Sequence, residues 1–434
     1  MERFFFYFPY ALNICLNKLA SLLTTQRIIL FSRLALIAII TVLVLVILFS
    51  YNDFHERILY GQDFRVFLGA GKIMLEGEPF NLYDPGTQLK FQEKLGFDSE
   101  QWPLAPYLNP PVYAWVMQIF ALLPYFTAVT AWRIISILLA FFSIKKVIEV
   151  LKLDTKSSSA VIILLASFPG FMAVYNGQNT FFFLAIYAGV YILLSKGQDF
   201  HAGAVLGLGF LKPQLFWLMP VLLLFQKRWR AFQGGILTFS LLSLASFSLV
   251  GMDGVISYIE FLNSSEYNWF VNWRLHDMHS LAAFISLSAG QDLEAINHLI
   301  VVTMLLFGLG VYLKLSKINL DPGEIITISI IGTLLLNPHL FHYDLSLLAL
   351  PYLFMLSWMK GNTLNAYYLR NLQVVMFLLY LYLWFSSLVI QTTGLQLSVL
   401  LLLYMLFLVF NKISARNRNR PIFKIRERGE KCIS

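Results

Sequence analysis

The chain has 434 residues, 58% of them hydrophobic and only 13% charged, with a mean hydropathy of +0.69. That balance excludes a soluble globular domain and points to an all-α polytopic membrane protein, because successive apolar runs of about 17 residues or more have no other good explanation. The formal charge of +8 does not call for nucleic acid, since much of the excess lies in Lys412, Arg416, Arg418, Arg420, Lys424, Arg426 and Arg428, a tail that reads as a cytoplasmic anchor near anionic lipid.

Residues 1–33 form a leader carrying Arg3, Lys18, Arg27 and Arg33, which places the N-terminus in the cytoplasm. The first apolar run, around Leu34 to Ser50, starts too deep for a cleavable signal peptide and lacks a small-residue cleavage site. A membrane domain over 34–411 then opens with a long outer loop, 51–110, of the length that is usually functional or independently folded. Within it, Phe64 to Leu75 carries apolar residues at roughly helical spacing and predicts an interfacial helix with its apolar face in lipid. Asp63, just ahead, reads either as a catalytic base at the membrane boundary or as an acidic N-cap of that helix. Pro79 to Pro85 is a turn-rich break between two short helical pieces, and Asn109-Pro110-Pro111 opens the next helix.

The region from Val112 to Val150 reads either as two short spans hinged at Pro124 or as one partial segment followed by one full span, and we take the second because Lys145, Lys146, Lys152 and Lys156 mark a cytoplasmic end and one net crossing. A span from Ser159 to Tyr175 leads out to Asn176-Gly177-Gln178-Asn179, and the next returns to Lys196. Ala202 to Phe210 brings Lys212 to the outer side, and Leu215 to Phe225 comes back to the basic loop Lys227-Arg228-Trp229-Arg230. A span from Gly235 to Val250 opens the loop that holds Trp273 to Ser280, and Leu299 to Tyr312 returns to Lys314 and Lys317. Ile325 to Leu336 reaches the stretch from Asn337 to Asp344, and three further spans end in the 412–434 tail. The expected total is about 12 crossings, with both termini cytoplasmic. Basic loops thus fall on one face, while Asp63, Asn109, Gln178, Lys212, His276 to Ser280 and His339 to Asp344 all fall on the other. An active site at the outer membrane boundary follows from that sorting.

Each motif admits a plain reading beside a functional one. Gly177-Gln178-Asn179 is either a tight turn or a pair of amides that bind sugar hydroxyls, which need both donors and acceptors. Lys212, inside an apolar run, either snorkels or meets an anion such as phosphate. His339 and His342 have metal-like spacing but no third ligand nearby, and His342 serves equally to stabilise a charged leaving group or orient an acceptor. Arg274, His276 and Asp277 read as an ordinary solvated loop, and the aromatic content as interfacial belts and packing. Cys15 and Cys432, near the two termini, offer neither a disulfide framework nor a Cys-based metal site.

Taken in order, several of these residues resemble the C-type membrane glycosyltransferases, and most of all glycosyltransferase family 87. The carrying residues are Asp63-Phe64, Gly69-Ala70-Gly71, Gly77, Leu82-Tyr83-Asp84 and Tyr107 through Pro111 with Pro124. Gly177-Gln178-Asn179, Gly203, Gly207, Lys212-Pro213, Arg228-Trp229-Arg230, His279-Ser280-Leu281 and Pro338 through Asp344 continue the set, which runs to about Pro351. The resemblance implies transfer of a hexose, typically mannose, from a polyprenyl-phosphate carrier to an acceptor hydroxyl at the outer membrane face, with Asp63 as base. Members of the family often carry a histidine pair near Pro338, where this chain reads Phe341-His342-Tyr343-Asp344.

The expected site therefore has Asp63 and His342 as catalytic groups and Lys212, Gln178, Asn179, Asn109, Tyr343 and Asp344 as substrate-binding groups, with no metal ligands. The expected partners are a polyprenyl-phosphate-hexose donor, which takes the place of any cofactor, a glycan or glycolipid acceptor, and membrane lipid. The expected location is the plasma or inner membrane. The competing class is a lipid-linked glycan flippase or secondary transporter, which should show repeats in matching halves; no such repeat is detected here. A sugar polymerase or ligase would instead rest on a large late loop, whereas the largest outer loop here is the first.

Overall fold

The computed structural model describes residues 16–49, 61–96, 104–290, 297–315, 318–337, 339–360 and 366–418. Among these residues the fold is helical throughout, and the only β pairing is a single antiparallel bridge between Met278 and Phe341. The ends of the leader and the tail, Pro338 and Lys317 lie outside the described residues.

Four helices are long and apolar enough to cross a membrane, Thr25–Leu45, Trp229–Leu262, Ala366–Thr393 and Leu397–Asn417. A fifth is obtained by joining Ser157–Leu165 to Phe168–Tyr175, which are bent by 78°. The chain is an integral membrane protein in this coarse sense. Most other apolar runs form shorter helices, among them Pro111–Ala121, Thr180–Ser195 and Pro322–Leu336. The local cause is visible at the bend: Ser167 caps the second piece, Pro169 sits in its first turn, and a Cβ on Gly170 would stand 2.0 Å from the Leu164 carbonyl oxygen.

Several sequence boundaries move. The first helix, Thr25–Phe49, takes Arg27 and Arg33 into its own first turns. Helix Trp229–Leu262 does not stop at Val250 but continues past a kink at Gly251, whose φ of 61° and ψ of −165° favour glycine. Pro124 does separate a short helix, Pro111–Ala121, from a long one, Tyr125–Leu151.

The first loop is more tightly integrated than an interfacial helix would be. Helix Gln62–Leu75 buries Phe64, Phe67, Leu68, Ile73 and Met74 against protein rather than lipid. Its Gly69-Ala70-Gly71 step makes this possible: a Cβ on Gly71 would lie 2.7 Å from the Met117 backbone, so only glycine lets the helix lie on Pro111–Ala121. Helix Pro85–Glu93 covers it, and there Gln88 accepts from the Tyr107 N–H while Gln92 donates to the Ala105 carbonyl. These bonds hold the extended approach to Asn109. Glycines act similarly where helix Asp199–Gly207 meets Trp229–Leu262, since a Cβ on Gly203 would fall 1.7 Å from the Ala231 carbonyl oxygen.

Helix Pro322–Leu336 is buried along nearly its whole length and fixes the axis of the molecule. At its N-terminus Asp321 and Glu324 form a capping box. Glu324, with 0% exposure, also accepts from Lys412 Nζ and Arg416 Nη2, each at 2.7 Å, while Arg416 Nη1 reaches Asp321 at 2.9 Å. Lys412 further lies 4.1 Å from the centre of the Trp358 ring. Lys412 and Arg416 are therefore not free to anchor in lipid, because the buried Glu324 and the partly exposed Asp321 claim them, and the boundary at 411 falls inside helix Leu397–Arg418. Removing one partner leaves buried charges uncompensated. Glu324→Ala is expected to cost about 3–5 kcal/mol, read as a lowered unfolding midpoint of the detergent-solubilised protein.

Candidate functional site

At the other end of helix Pro322–Leu336, about 22 Å away by helix rise, the chain reaches Asn337 and a cavity. Its volume is about 730 Å³, within the range of small-molecule sites. Of the expected site residues, Asp63, Asn109, Gln178, Asn179, Lys212 and Tyr343 all line it. Residues separated by hundreds of positions in sequence thus share one chamber. Phe247, Val250 and Tyr258, on both sides of the Gly251 kink, supply much of its apolar wall.

Asp63 is brought there by a turn clamped onto its helix. Gly61, with φ of 60°, is the N-cap of Gln62–Leu75, and Asp63 lies in the first turn; its carboxylate makes no capping bond. The N-cap reading is therefore replaced. The backbone N–H groups of Asp63 and Phe64 both donate to the Asn176 carbonyl, at 3.1 and 3.0 Å. Gly177, with φ of +67°, packs against Phe64 where a Cβ would meet the Phe64 Cβ at 2.6 Å. Trp132 Nε1 donates to the Gly177 carbonyl at 2.9 Å, and Arg133 donates to the carbonyls of Val174 and Tyr175. With its backbone held this way, Gln178 Nε2 donates to Asp63 Oδ2 at 2.7 Å.

Although Asp63 opens onto the cavity, its carboxyl sits deep in the protein, and burial pushes it above the usual carboxylate range. Three groups work against that rise: the Arg274 charge, the Gln178 hydrogen bond and the Lys212 charge. Arg274 is accordingly more than part of a solvated loop. It pairs with Asp277 at 2.8 Å and lies over the Phe341 ring, and its neighbours Leu275, Met278 and His279 are buried. Nothing in its local sequence marks it, because its effect on Asp63 arises only through the fold.

Lys212 stands between two short 3₁₀ segments, Leu208–Leu211 and Pro213–Leu215. Its Nζ spans both oxygens of Asp344, at 2.8 and 2.9 Å, and Thr180 adds a hydroxyl bond to Asp344 Oδ1 at 3.1 Å. Asp344 is fully buried and does not line the cavity, so it holds Lys212 from behind. Two of the three ammonium donors are thereby used, leaving the third for the chamber. Asn109 is fixed in the same way, its Nδ2 on the Leu211 carbonyl and its own carbonyl accepting from the Tyr83 hydroxyl.

Asn179 is 1% exposed, and among the described residues neither its Nδ2 nor its Oδ1 has a hydrogen-bond partner; the Tyr113 hydroxyl approaches it without completing one. His342 lies elsewhere than expected. It is outside the cavity lining, with its ring against Phe168 at 5.2 Å and Tyr343 at 5.4 Å. Burial, helped by the Arg274 charge, pushes its imidazole down to about 3, so it is neutral at pH 7. Its contact with the chamber is through Tyr343. His339, by contrast, lines the cavity beside Tyr267, so the two histidines serve different surroundings. Among the described residues no three His, Cys, Asp or Glu side chains gather as a metal site.

The raised Asp63 carboxyl has a thermodynamic consequence. A folded state that holds the proton more tightly than the unfolded chain loses stability as pH rises through the two values. Asp63→Asn, which can keep the Gln178 contact, is therefore expected to raise the unfolding midpoint at pH 7 and to leave it nearly unchanged in acid. Arg274→Gln should push the carboxyl further up, read as loss of the ionised Asp63 infrared band at higher pH than in the native protein. A midpoint lowered by Asp63→Asn at pH 7 would contradict this account.

No curated protein and no solved structure matches the chain. The model of glycosyltransferase family 87 matches residues 107–338, just over half of the chain, with Asn109, Gln178, Asn179 and Lys212 inside the match and Asp63 and Tyr343 outside it. A helical membrane protein with these residues gathered around one chamber belongs to glycosyltransferase family 87.

Proposed function

We propose that this glycosyltransferase moves a hexose, with mannose the leading candidate, from a polyprenyl-phosphate carrier to a hydroxyl of a glycan or glycolipid acceptor. The observation that carries the reading is the meeting of Asp63 with Lys212, Gln178 and Asn179 around one chamber. A transfer of this kind needs a base for the incoming hydroxyl and a cation for the departing phosphate, and it needs them on one site.

In the proposed step the acceptor oxygen attacks the anomeric carbon and its proton passes to the Asp63 carboxylate. The bond from that carbon to the phosphate oxygen breaks, and its electron pair leaves with the polyprenyl phosphate. A single displacement of this kind inverts the anomeric centre. Burial makes Asp63 a better proton acceptor than an exposed carboxylate, while Arg274 and Gln178 keep its rise in check. Lys212, oriented by Asp344, offers its remaining N–H to the phosphate. Asn179 and Gln178 suit sugar hydroxyls, Asn109 sits beside Lys212 through Leu211, and His342 acts by positioning Tyr343 rather than by touching substrate. The isoprenoid tail would follow the apolar wall formed by Phe247 and Val250. We place the chamber at the outer face of the plasma or inner membrane, with both termini cytoplasmic and the shorter apolar helices completing about 12 crossings.

The test is transfer of radiolabelled hexose from polyprenyl-phosphate-mannose and polyprenyl-phosphate-glucose, with purified protein and native lipid acceptors. Asp63→Asn is expected to lower kcat by at least about 100-fold while donor binding stays intact. Transfer that survives the substitution would remove Asp63 as base. Failure of the native protein to bind either donor would remove the polyprenyl-phosphate assignment.

A further inference from the structure

The cavity has a second polar end that the proposed reaction does not use. Asn337 follows the last turn of helix Pro322–Leu336, lines the chamber and is 1% exposed. Its Oδ1 accepts from the His339 backbone N–H at 3.1 Å, which fixes the plane of the amide. With that oxygen committed, Nδ2 is left with no hydrogen-bond partner among the described residues. His339 also lines the chamber, and its Nδ1 likewise has no partner among them. The imidazole ring meets the Tyr267 ring edge-on, with centroids 5.9 Å apart. Burial pushes His339 down to about 4, so at pH 7 it is neutral and carries one donor and one acceptor.

Buried polar atoms are nearly always paired, and two unpaired ones on the same chamber wall, one with its orientation already fixed, indicate a ligand that would pair them. The chemistry of that ligand follows from what surrounds them. Among the described residues that line the cavity, Lys212 is the one lysine or arginine, so an anionic phosphate belongs at its end. The Asn337 end offers a neutral amide, a neutral imidazole and the aromatic side chains of Tyr267 and Tyr258. Hydroxyls both donate and accept, and the C–H face of a pyranose ring packs on aromatic side chains. We infer that Asn337 Nδ2 and His339 Nδ1 form an acceptor subsite that hydrogen-bonds the hydroxyls of a hexopyranose ring. The inference rests on the proposed transfer for the word acceptor, but the binding of a sugar ring there can be tested without it.

The experiment uses the full chain in lipid nanodiscs, with methyl α-D-mannopyranoside and methyl α-D-glucopyranoside as probes, followed by saturation-transfer NMR. Two variants remove the polar partners: Asn337→Asp replaces Nδ2 by an oxygen and keeps the acceptor for the His339 N–H, and His339→Phe removes both imidazole nitrogens and keeps an aromatic ring against Tyr267. Saturable binding of at least one glycoside is expected in the native protein, weakened about fivefold or more in each variant that retains the native unfolding midpoint. With octyl α-D-mannopyranoside as acceptor, the same variants should raise the acceptor KM by a similar factor and leave the donor KM unchanged. No saturable binding to the native protein, binding in both variants equal to that of the native protein, or a rise in donor KM instead of acceptor KM would each overturn the subsite. A native protein that binds the glycosides through Asn337 yet transfers no hexose would sink the proposed reaction and leave the sugar subsite standing.

Discussion

The site depends on one contact: the turn from Asn176 to Gln178 seated on the first turn of helix Gln62–Leu75. A single carbonyl, that of Asn176, accepts two N–H groups that the helix N-terminus would otherwise leave unsatisfied. In an apolar interior such orphans are costly, so the bonds tie the first loop to the body of the protein as firmly as packing does. Gly177 permits the approach by presenting no side chain to Phe64, and the indole of Trp132 and the guanidinium of Arg133 hold the turn from the opposite side. Arg133 also supplies positive charge at the C-terminal end of Phe168–Tyr175, where the helix dipole favours it. The Gln178–Asp63 hydrogen bond is a consequence of this backbone arrangement.

Among the described residues, the charges at the two ends of helix Pro322–Leu336 are each held by another group, and the placement of that partner decides what the charge can do. At the Pro322 end of the central helix, Lys412, Arg416, Asp321 and Glu324 satisfy one another, and the cluster serves to fasten the last helix. At the Asn337 end, Lys212 is satisfied from behind by Asp344 and Thr180, so its ammonium group still faces a chamber. Asp63 is the exception. It receives one amide donor and the influence of Arg274 and Lys212, and burial still prevails, which keeps its carboxyl raised. Holding a carboxylate in that condition lowers stability, as functional sites often do, and leaves it with a raised proton affinity that the proposed role as base would use.

The composition and the order of motifs determined the class, the helical architecture and six of the polar residues on the cavity wall. Apolar runs can only be satisfied as membrane helices, and polar groups among them are scarce enough that Asp63, Asn109, Gln178, Asn179, Lys212 and Tyr343 stand out individually. Helix lengths were less legible, because a hydropathy run does not reveal the bend at Ser167 or the continuation through Gly251. The apolar face of Gln62–Leu75 could be read from its spacing, but whether it met lipid or protein was decided by Met117, some forty positions away, through a close approach at Gly71. Partnership was also a tertiary matter. Lys412 and Arg416 look like tail anchors until Glu324 is brought beside them, His342 lies outside the chamber lining with Tyr343 against its ring, and Asn337 looks like an ordinary helix end until its Nδ2 is found without a partner among the described residues. Sequence determines which groups must find partners in an apolar medium; only the packing of distant helices decides which partners they find and which are left open for a ligand.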